Sequence, residues 1–330
     1  MKETARAHSN IALIKYWGNR NKELVLPYNN SISMTLDKLS TTTTVEFLEK
    51  YKEDTLKIDG KKASKEEVER IKPLLNIVRK KAGKMLFARV ESESNFPKSA
   101  GLASSASAFA ALALASTKAI GLHLDKKELS ILARFGSGSA SRSIEAGFVQ
   151  WLKGENEDGS DSYAVQLAPQ NHWPELTMIV NVLSIKEKKV KSRTGMNHST
   201  DNSVFYKCWL DTIEQDIKIA KNALLEKNFT LLGKTTELNC LKMHSTMLTT
   251  EPHLIYWEAE TITLMKEVMQ MREEGIECYF TIDAGPQVKV LCLEKDAKKI
   301  EKRFSKMNEV KKTYICKAGE EAKLIDKGLF

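Results

Sequence analysis

Four short stretches bring together residue types that could bind or transfer a charged group. At 281–286 the sequence TIDAGP ends an apolar run in Asp283, followed by small residues and a proline turn. A carboxylate at a strand end suits a general base, and Asp before Gly and Pro is also ordinary turn chemistry. At 10–18, NIALIKYWG places Lys15 at the close of an apolar segment. A lysine there needs a partner for its charge, or must snorkel to water with Trp17 packed beside it. At 136–143, GSGSASRS offers backbone donors, hydroxyls and Arg142. A guanidinium can grip a carboxylate or phosphate with two parallel bonds, while the same composition also suits a surface loop. At 97–107, PKSAGLASSAS runs directly into an Ala-rich stretch. Small side chains let amide groups approach an anion, and a helix start adds unpaired N–H donors. Ser104 and Ser105 can bind phosphate oxygens or Mg²⁺. No Gly-Lys-Ser/Thr follows, so this is not a Walker loop. A small-residue helix start packed against a neighbour would read the same way.

The elements that must hold these stretches are legible in outline. Residues 11–16 are apolar and read as a buried strand; 31–36 and 42–47 alternate or are β-branched, as strands are. A strand at 56–58 leads into the Asp59-Gly60 turn, and Ser64 with Glu67 forms a capping box that opens a helix to about Lys81. A strand is expected at 86–93, a buried helix at 104–120 and a second helix at 126–134. Strands follow at 148–151, 162–167 and 177–183. The pattern from 199 to 274 is helical, in three segments broken near Asn228 and Glu251-Pro252. Strands at 277–282 and 288–293, a helix at 295–306 and a strand at 313–316 close the chain. Grouped rather than alternating elements argue for an α+β fold. The Lys-rich stretch near 184–200 suggests a lobe boundary, with lobes at 1–184 and 185–330.

The 330 residues carry a formal charge of +8, which suits phosphorylated ligands. Basic and acidic residues are interspersed and no nucleic-acid motif is present, so nucleic acid is not the expected partner. The longest apolar stretch is too short to span a bilayer. No apolar leader follows Lys2, Glu3 and Arg6, and the five cysteines have no CxxC spacing. A cytoplasmic protein without a disulfide framework or zinc site is expected. The six histidines show no ligand spacing.

In order and spacing, the motifs resemble the diphosphomevalonate decarboxylases of the GHMP kinase superfamily. The similarity is carried by NIALIKYWG at 10–18, LPYNNSISMTL at 26–36, FPKSAGLASSASAFAALA at 96–113, GSGSASRS at 136–143 and TIDAGP at 281–286. Gly147–Trp151, Asp158–Ser162, Ser192–Met196 and Met243-His244 extend it over nearly the whole chain. The resemblance implies a two-lobed α+β fold: a ribosomal protein S5 domain 2-like N-terminal lobe, a ferredoxin-like α/β C-terminal lobe and a deep cleft. It implies a homodimer and ATP-dependent decarboxylation of 5-diphosphomevalonate to isopentenyl diphosphate. Asp283 matches the carboxylate that orients and deprotonates the substrate's 3-hydroxyl, Arg142 the cation that binds the substrate carboxylate, and Lys15 a lysine near that aspartate and the transferred phosphate. ATP is expected on Ala100, Gly101, Leu102, Ala103, Ser104, Ser105 and Ser107, with Ser192 near its phosphates. Mg²⁺ would arrive with ATP, with Ser105 beside it and no metal site of the protein's own. The substrate would meet Tyr16, Trp17, Gly18, Asn19, Arg70, Ser137, Gly138, Ser139, Ala140, Ser141, Arg142, Arg193 and Met196. Asn19 stands where the family carries lysine, and Gln287 where it carries Asn. The first change removes a positive charge from the diphosphate pocket, which Arg20 could replace. It keeps decarboxylation of 5-phosphomevalonate as an alternative, beside a kinase without decarboxylation.

Overall fold

Two long strands organise the first half of the protein. Lys2–Ile14 and Ser31–Leu48 pair antiparallel from Lys2↔Glu46 to Ile14↔Ile32. The sequence suggests separate strands at 31–36 and 42–47, yet Ser31–Leu48 is continuous. A register shift between His8 and Asn10 lets the pair bend without breaking. This computed structural model describes residues 1–97, 103–184 and 189–330.

The first sheet runs in the order Lys323–Leu324, Lys2–Ile14, Ser31–Leu48, Phe87–Ser94, Thr55–Ile58 and Lys61–Lys62. Phe148–Trp151 pairs with the start of Ser31–Leu48 and carries Ala164–Ala168 on its other side. The helix Ser104–Ile120 lies across the two long strands and is buried along nearly its whole length, as its Ala and Leu content demands. Lys65–Ala82 begins with the expected Ser64/Glu67 capping box and ends at Gly83 in the left-handed conformation.

The second sheet has the order Cys278–Ile282, Val288–Leu293, Leu176–Val182, Lys312–Cys316, all antiparallel. Leu176–Val182 therefore pairs beyond the boundary expected at 184/185. Strand pairing is set by tertiary contact and follows no local change in composition. Conversely, Lys323–Leu324 leaves the second half and pairs with Ala5 and Arg6 in the first sheet. Helices Ser192–Asn202, Tyr206–Leu225, Phe229–Leu248 and Ala259–Glu273 fill the expected helical region, with an additional break at 203–205.

One apolar core joins the halves. Ile11, Leu13, Ile32 and Met34 of the first sheet share it with Met178, Val180 and Leu291 of the second, and with Trp209 and Met243 of the helices. Burial of these side chains supplies the main force holding the halves together, about 25 cal/mol per Å² of apolar surface. The chain thus has the two-lobed α+β fold expected of it. Among the described residues, no helix is long and apolar enough to cross a membrane.

Candidate active site

Asp283 follows directly on the buried strand Cys278–Ile282, in a turn closed by the Gly285 amide donating to the Asp283 carbonyl at 2.7 Å. The turn is anchored on both flanks. Thr261 Oγ1 donates to the Pro286 carbonyl at 2.8 Å. Gln287 Oε1 accepts from the Leu183 amide, and its Nε2 donates to the Ser184 carbonyl, each at 2.5 Å. The amide that replaces the family's Asn therefore ties this turn to the neighbouring strand.

Lys15 does not snorkel. It is 1 % exposed, and its Nζ donates to Asp283 Oδ1 at 2.7 Å and to the Ala12 carbonyl at 2.9 Å. Its backbone is fixed as well: the amide donates to Asn239 Oδ1 and the carbonyl accepts from Asn29 Nδ2, both at 2.8 Å. Asn239 is oriented in turn by Asp216, which Lys242 neutralises. Asn239, Asp216 and Lys242 come from the two helices behind the site, Tyr206–Leu225 and Phe229–Leu248, and Asn29 from the turn before Ser31–Leu48.

A third charged residue joins this pair. Lys289 Nζ lies 3.1 Å from Asp283 Oδ2. The reading of the sequence missed Lys289, although a lysine inside the apolar strand VKVLCL was a usable signal. Burial pushes the Asp283 carboxyl up, but the charges of Lys15 and then Lys289 outweigh it and hold the group below the usual carboxylate range. The Asp283 side chain keeps 27 % exposure. Behind it, His244 Nε2 donates to the Ile282 carbonyl at 3.3 Å, and burial lowers this imidazole to about 3. It is a neutral structural group.

Arg142 sits in the 3₁₀ turn Gly138–Ile144, 3 % exposed. Its Nε donates to Asn10 Oδ1 at 3.1 Å and one terminal nitrogen to Ser31 Oγ at 2.7 Å. Asn10 is aimed by its own bonds to the Ser139 carbonyl and Ser143 Oγ. Burial lowers the guanidinium to about 10, with the Asp283 charge acting the other way, so it remains a cation at neutral pH. Lys15, Arg142 and Asp283 thus converge from three distant parts of the sequence.

The remaining expected residues divide by what their side chains do. Tyr16 donates to Asn19 Oδ1, and its ring stands edge-on to Trp151 at 4.7 Å. Burial raises its phenol, while the Asn19 bond and the charges of Arg193 and Arg142 oppose that shift. A Cβ at Gly138 would come within 2.9 Å of the Tyr16 hydroxyl, so only glycine permits this approach. Gly18 has φ +102°, and a Cβ there would strike the Tyr206 hydroxyl, which donates to the Trp17 carbonyl at 2.7 Å. Trp17 packs edge-on to Tyr256, and Met196 is buried in the same cluster. Arg193 reaches the Gly136 carbonyl at 3.4 Å, and Arg70 lies over the Phe109 ring at 5.3 Å. Burial and repulsion from Arg193 both lower the Arg70 guanidinium. Asn19 is buried against Tyr16. Arg20, expected as its possible replacement, turns one terminal nitrogen to the carbonyls of Lys153, Gly154 and Asn156 at 3.2–3.4 Å.

Ser105 Oγ, Ser137 Oγ and Ser139 Oγ form a chain with spacings of 3.1 and 3.2 Å. Ser104 opens the helix Ser104–Ile120 after Ala103 at φ 54°; among the described residues that end has no side-chain cap, and its first turn holds no acidic residue. The positive end of its dipole suits an anion. Ser192 opens the helix Ser192–Asn202. Three hydroxyl or methyl side chains point elsewhere. Ser107 is buried with its Oγ 2.7 Å from Thr41 Oγ1, Ser141 donates back to the Gly138 carbonyl at 2.7 Å, and Ala140 is buried in the core. These three shape the site from behind and present no side chain to a ligand. Ala100, Gly101 and Leu102 lie outside the described residues.

A helix start without an acidic first turn, clustered guanidinium groups and an ionised carboxylate are the equipment of a small-molecule phosphoryl-transfer enzyme. Two family domains match the chain. Residues 7–164 match the diphosphomevalonate decarboxylase-like N-terminal domain, and residues 178–326 the mevalonate 5-diphosphate decarboxylase C-terminal domain. The chain is 36 % identical to diphosphomevalonate decarboxylase of Candida albicans, over 88 % of this chain and 84 % of that one. It is 35 % identical to the human enzyme, over 88 % and 76 %. The solved structure of mevalonate diphosphate decarboxylase from Staphylococcus aureus is 43 % identical, covers 98 % of each chain and superposes with a TM-score of 0.92. MDDEF in complex with MVAPP, AMPPCP and magnesium is also 43 % identical, over 99 % of each chain, with a TM-score of 0.93. The chain belongs to the diphosphomevalonate decarboxylase family.

Proposed function

We propose that the protein decarboxylates (R)-5-diphosphomevalonate at the expense of ATP, giving isopentenyl diphosphate, ADP, phosphate and CO₂. The observation that carries this reading is an ionised Asp283, flanked by Lys15 and Lys289, near enough to Arg142 for their charges to interact. The names of the family's members and the ligands held in the similar complex support it.

The chemistry needs two stages. In the first, the substrate's tertiary 3-hydroxyl gives its proton to Asp283 as its oxygen bonds the γ-phosphorus of ATP, and ADP departs with the electrons of the broken P–O bond. A carboxylate held below its usual range is a weak base. It orients the hydroxyl first and takes the proton late, when phosphoryl transfer has made that proton acidic. In the second stage the C3–O bond breaks and phosphate leaves. The electron pair of the bond to the carboxyl carbon then becomes the new double bond, releasing CO₂. Arg142 binds the carboxylate and steadies the charge at the reacting centre, while Lys15 compensates charge on the departing phosphate.

The start of Ser104–Ile120 and the hydroxyls of Ser105 and Ser137 fit nucleotide phosphates and their Mg²⁺, a hard cation served by oxygen ligands. Mg²⁺ would neutralise phosphate charge during transfer. Among the described residues no cluster of His, Cys, Asp or Glu could hold a metal. Tyr16, Ser139, Arg193 and Arg70 would receive the substrate's diphosphate.

A second reading, 5-phosphomevalonate as substrate, is favoured by Asn19 together with the engagement of Arg20 on loop carbonyls. Incubation with ATP and each compound, following CO₂ and phosphate, separates the two. A phosphorylated product that keeps its carboxylate would instead establish a kinase. The free cysteines Cys240, Cys278, Cys292 and Cys316, all buried, fit a reducing, cytoplasmic setting. A homodimer, expected from the family likeness, is tested by light scattering.

A further inference from the structure

Lys289 occupies the second position of the strand Val288–Leu293, opposite Thr281 on one neighbouring strand and Val180 on the other. It is 0 % exposed. Its side chain is closed off from solvent, and the carboxylate it faces among the described residues is that of Asp283. The two carboxylate oxygens are treated differently. Oδ1 receives a 2.7 Å hydrogen bond from Lys15. Oδ2 is sealed from solvent, receives no well-formed hydrogen bond among the described residues, and has the Lys289 ammonium 3.1 Å away. The exposed part of the Asp283 side chain therefore excludes Oδ2.

We propose that Lys289 is a positioning residue for the reaction: it holds Asp283 Oδ2 in the interior, leaves Oδ1 as the oxygen offered to the substrate hydroxyl, and keeps the carboxylate ionised until phosphoryl transfer. The inference rests on Asp283 being the base. A carboxylate held at one oxygen can turn about its Cβ–Cγ bond and exchange the two; a cation at each oxygen fixes the plane. Burying an ammonium in an apolar strand gives little or no net stability, and a packed apolar side chain of similar volume often serves a fold as well. Its presence at this position is explained by the charge it sets against Oδ2.

Among the described residues, the other charged and titratable groups around Asp283 are few. Lys15 comes from the end of Lys2–Ile14 and Arg142 from the 3₁₀ turn. Cys240 and His244 come from the helix Phe229–Leu248, which packs on Cys278–Ile282. Burial pushes the Cys240 thiol up and the His244 imidazole down to about 3. Neither changes charge between pH 4 and neutrality, and Arg142, lowered only to about 10, is a cation there. Burial lowers the Lys289 ammonium, and the Asp283 charge opposes that shift. Of these groups, Asp283 alone can place its titration on the acid side of the rate profile. Comparing variants on one substrate holds the substrate's own titration constant, so a displaced limb reports the enzyme.

The test is the pH profile of kcat/KM for CO₂ release by the full chain, measured for the wild type, Lys289→Met and Lys289→Arg. Removing the cation should move the acid limb up by about one pH unit or more, the usual influence of one close opposite charge. Lys289→Arg should return most of that shift, and the KM for ATP should stay within about twofold, since the Lys289 side chain is closed off from solvent. A Lys289→Met limb that coincides with the wild type, whatever the loss in kcat, overturns the inference. If Asp283→Asn keeps most of its rate, the base assignment itself has failed, which is a different result. Should Lys289→Met not fold, carboxyl ¹³C titration of the wild type decides, with the Asp283 signal assigned by its absence in Asp283→Asn. Titration below the ordinary aspartate range supports the inference, and titration near 4 overturns it.

Discussion

The two sides of the cleft are electrically unlike. On the base side, Asp283 faces Lys15 and Lys289, and Asp216 faces Lys242 one layer behind. On the phosphate side, Arg142, Arg193 and Arg70 are held by neutral oxygens and an aromatic face. No carboxylate among the described residues lies within ion-pair distance of them. The first side is complete without ligand, so its geometry is already set when substrate arrives. The second is an unbalanced cluster of positive charge, which under the proposed function the phosphates and carboxylate of the reactants would complete. On that proposal preorganisation belongs to the Asp283 side, and ligand affinity to the other.

This contrast fixes what substitutions on each side should do. Asp283→Asn, on the finished side, should lower kcat by about 10³-fold while ATP affinity, measured by calorimetry, is kept. Loss of nucleotide binding in that variant would mean the two sides are not separable. Arg142→Gln should cost about 10²-fold in kcat/KM, read in both carboxylate binding and turnover. Arg142→Lys should not recover it, because one ammonium cannot satisfy Asn10 and Ser31 and still reach a ligand. Arg193→Ala should raise the substrate KM about tenfold, weaken its salt dependence and leave kcat within about twofold. A fall in kcat equal to the rise in KM would place Arg193 on the chemical step. The smallest effect is expected of Asn19→Lys, which should lower the KM for the diphosphate substrate about threefold and leave that for the monophosphate unchanged. An unchanged value for both would show that position 19 does not feel the terminal phosphate.

Much of this was readable from local sequence. The Ser64/Glu67 capping box, the Ala-rich helix after residue 103 and the strand before Asp283 are each specified by neighbours a few positions away. Lys15, Arg142 and Asp283, which the structure brings together, stood out because each closes or interrupts an apolar or small-residue stretch. Lys289 escaped because its meaning depends on Asp283 lying across a hairpin. Residues 2–9 escaped because their polar alternation becomes a strand only when Ser31–Leu48 covers one edge. Ser107 and Ser141 lie within motifs that suggested ligand contact, yet their hydroxyls bond inward. Motif membership says where a segment goes, and the direction of each side chain is decided by packing.

The path of Lys317–Leu324 has a consequence for how the protein is made. Ala318 bridges to Leu36, the Gly319 amide donates to the Thr35 carbonyl, and Lys323–Leu324 flanks Ala5 and Arg6. The second sheet is thus inserted between two pieces of the first. On a ribosome, Lys2–Ile14 emerges long before the strand that covers its outer edge. The early lobe must wait with that edge open to stray pairing until synthesis has passed through the entire later lobe.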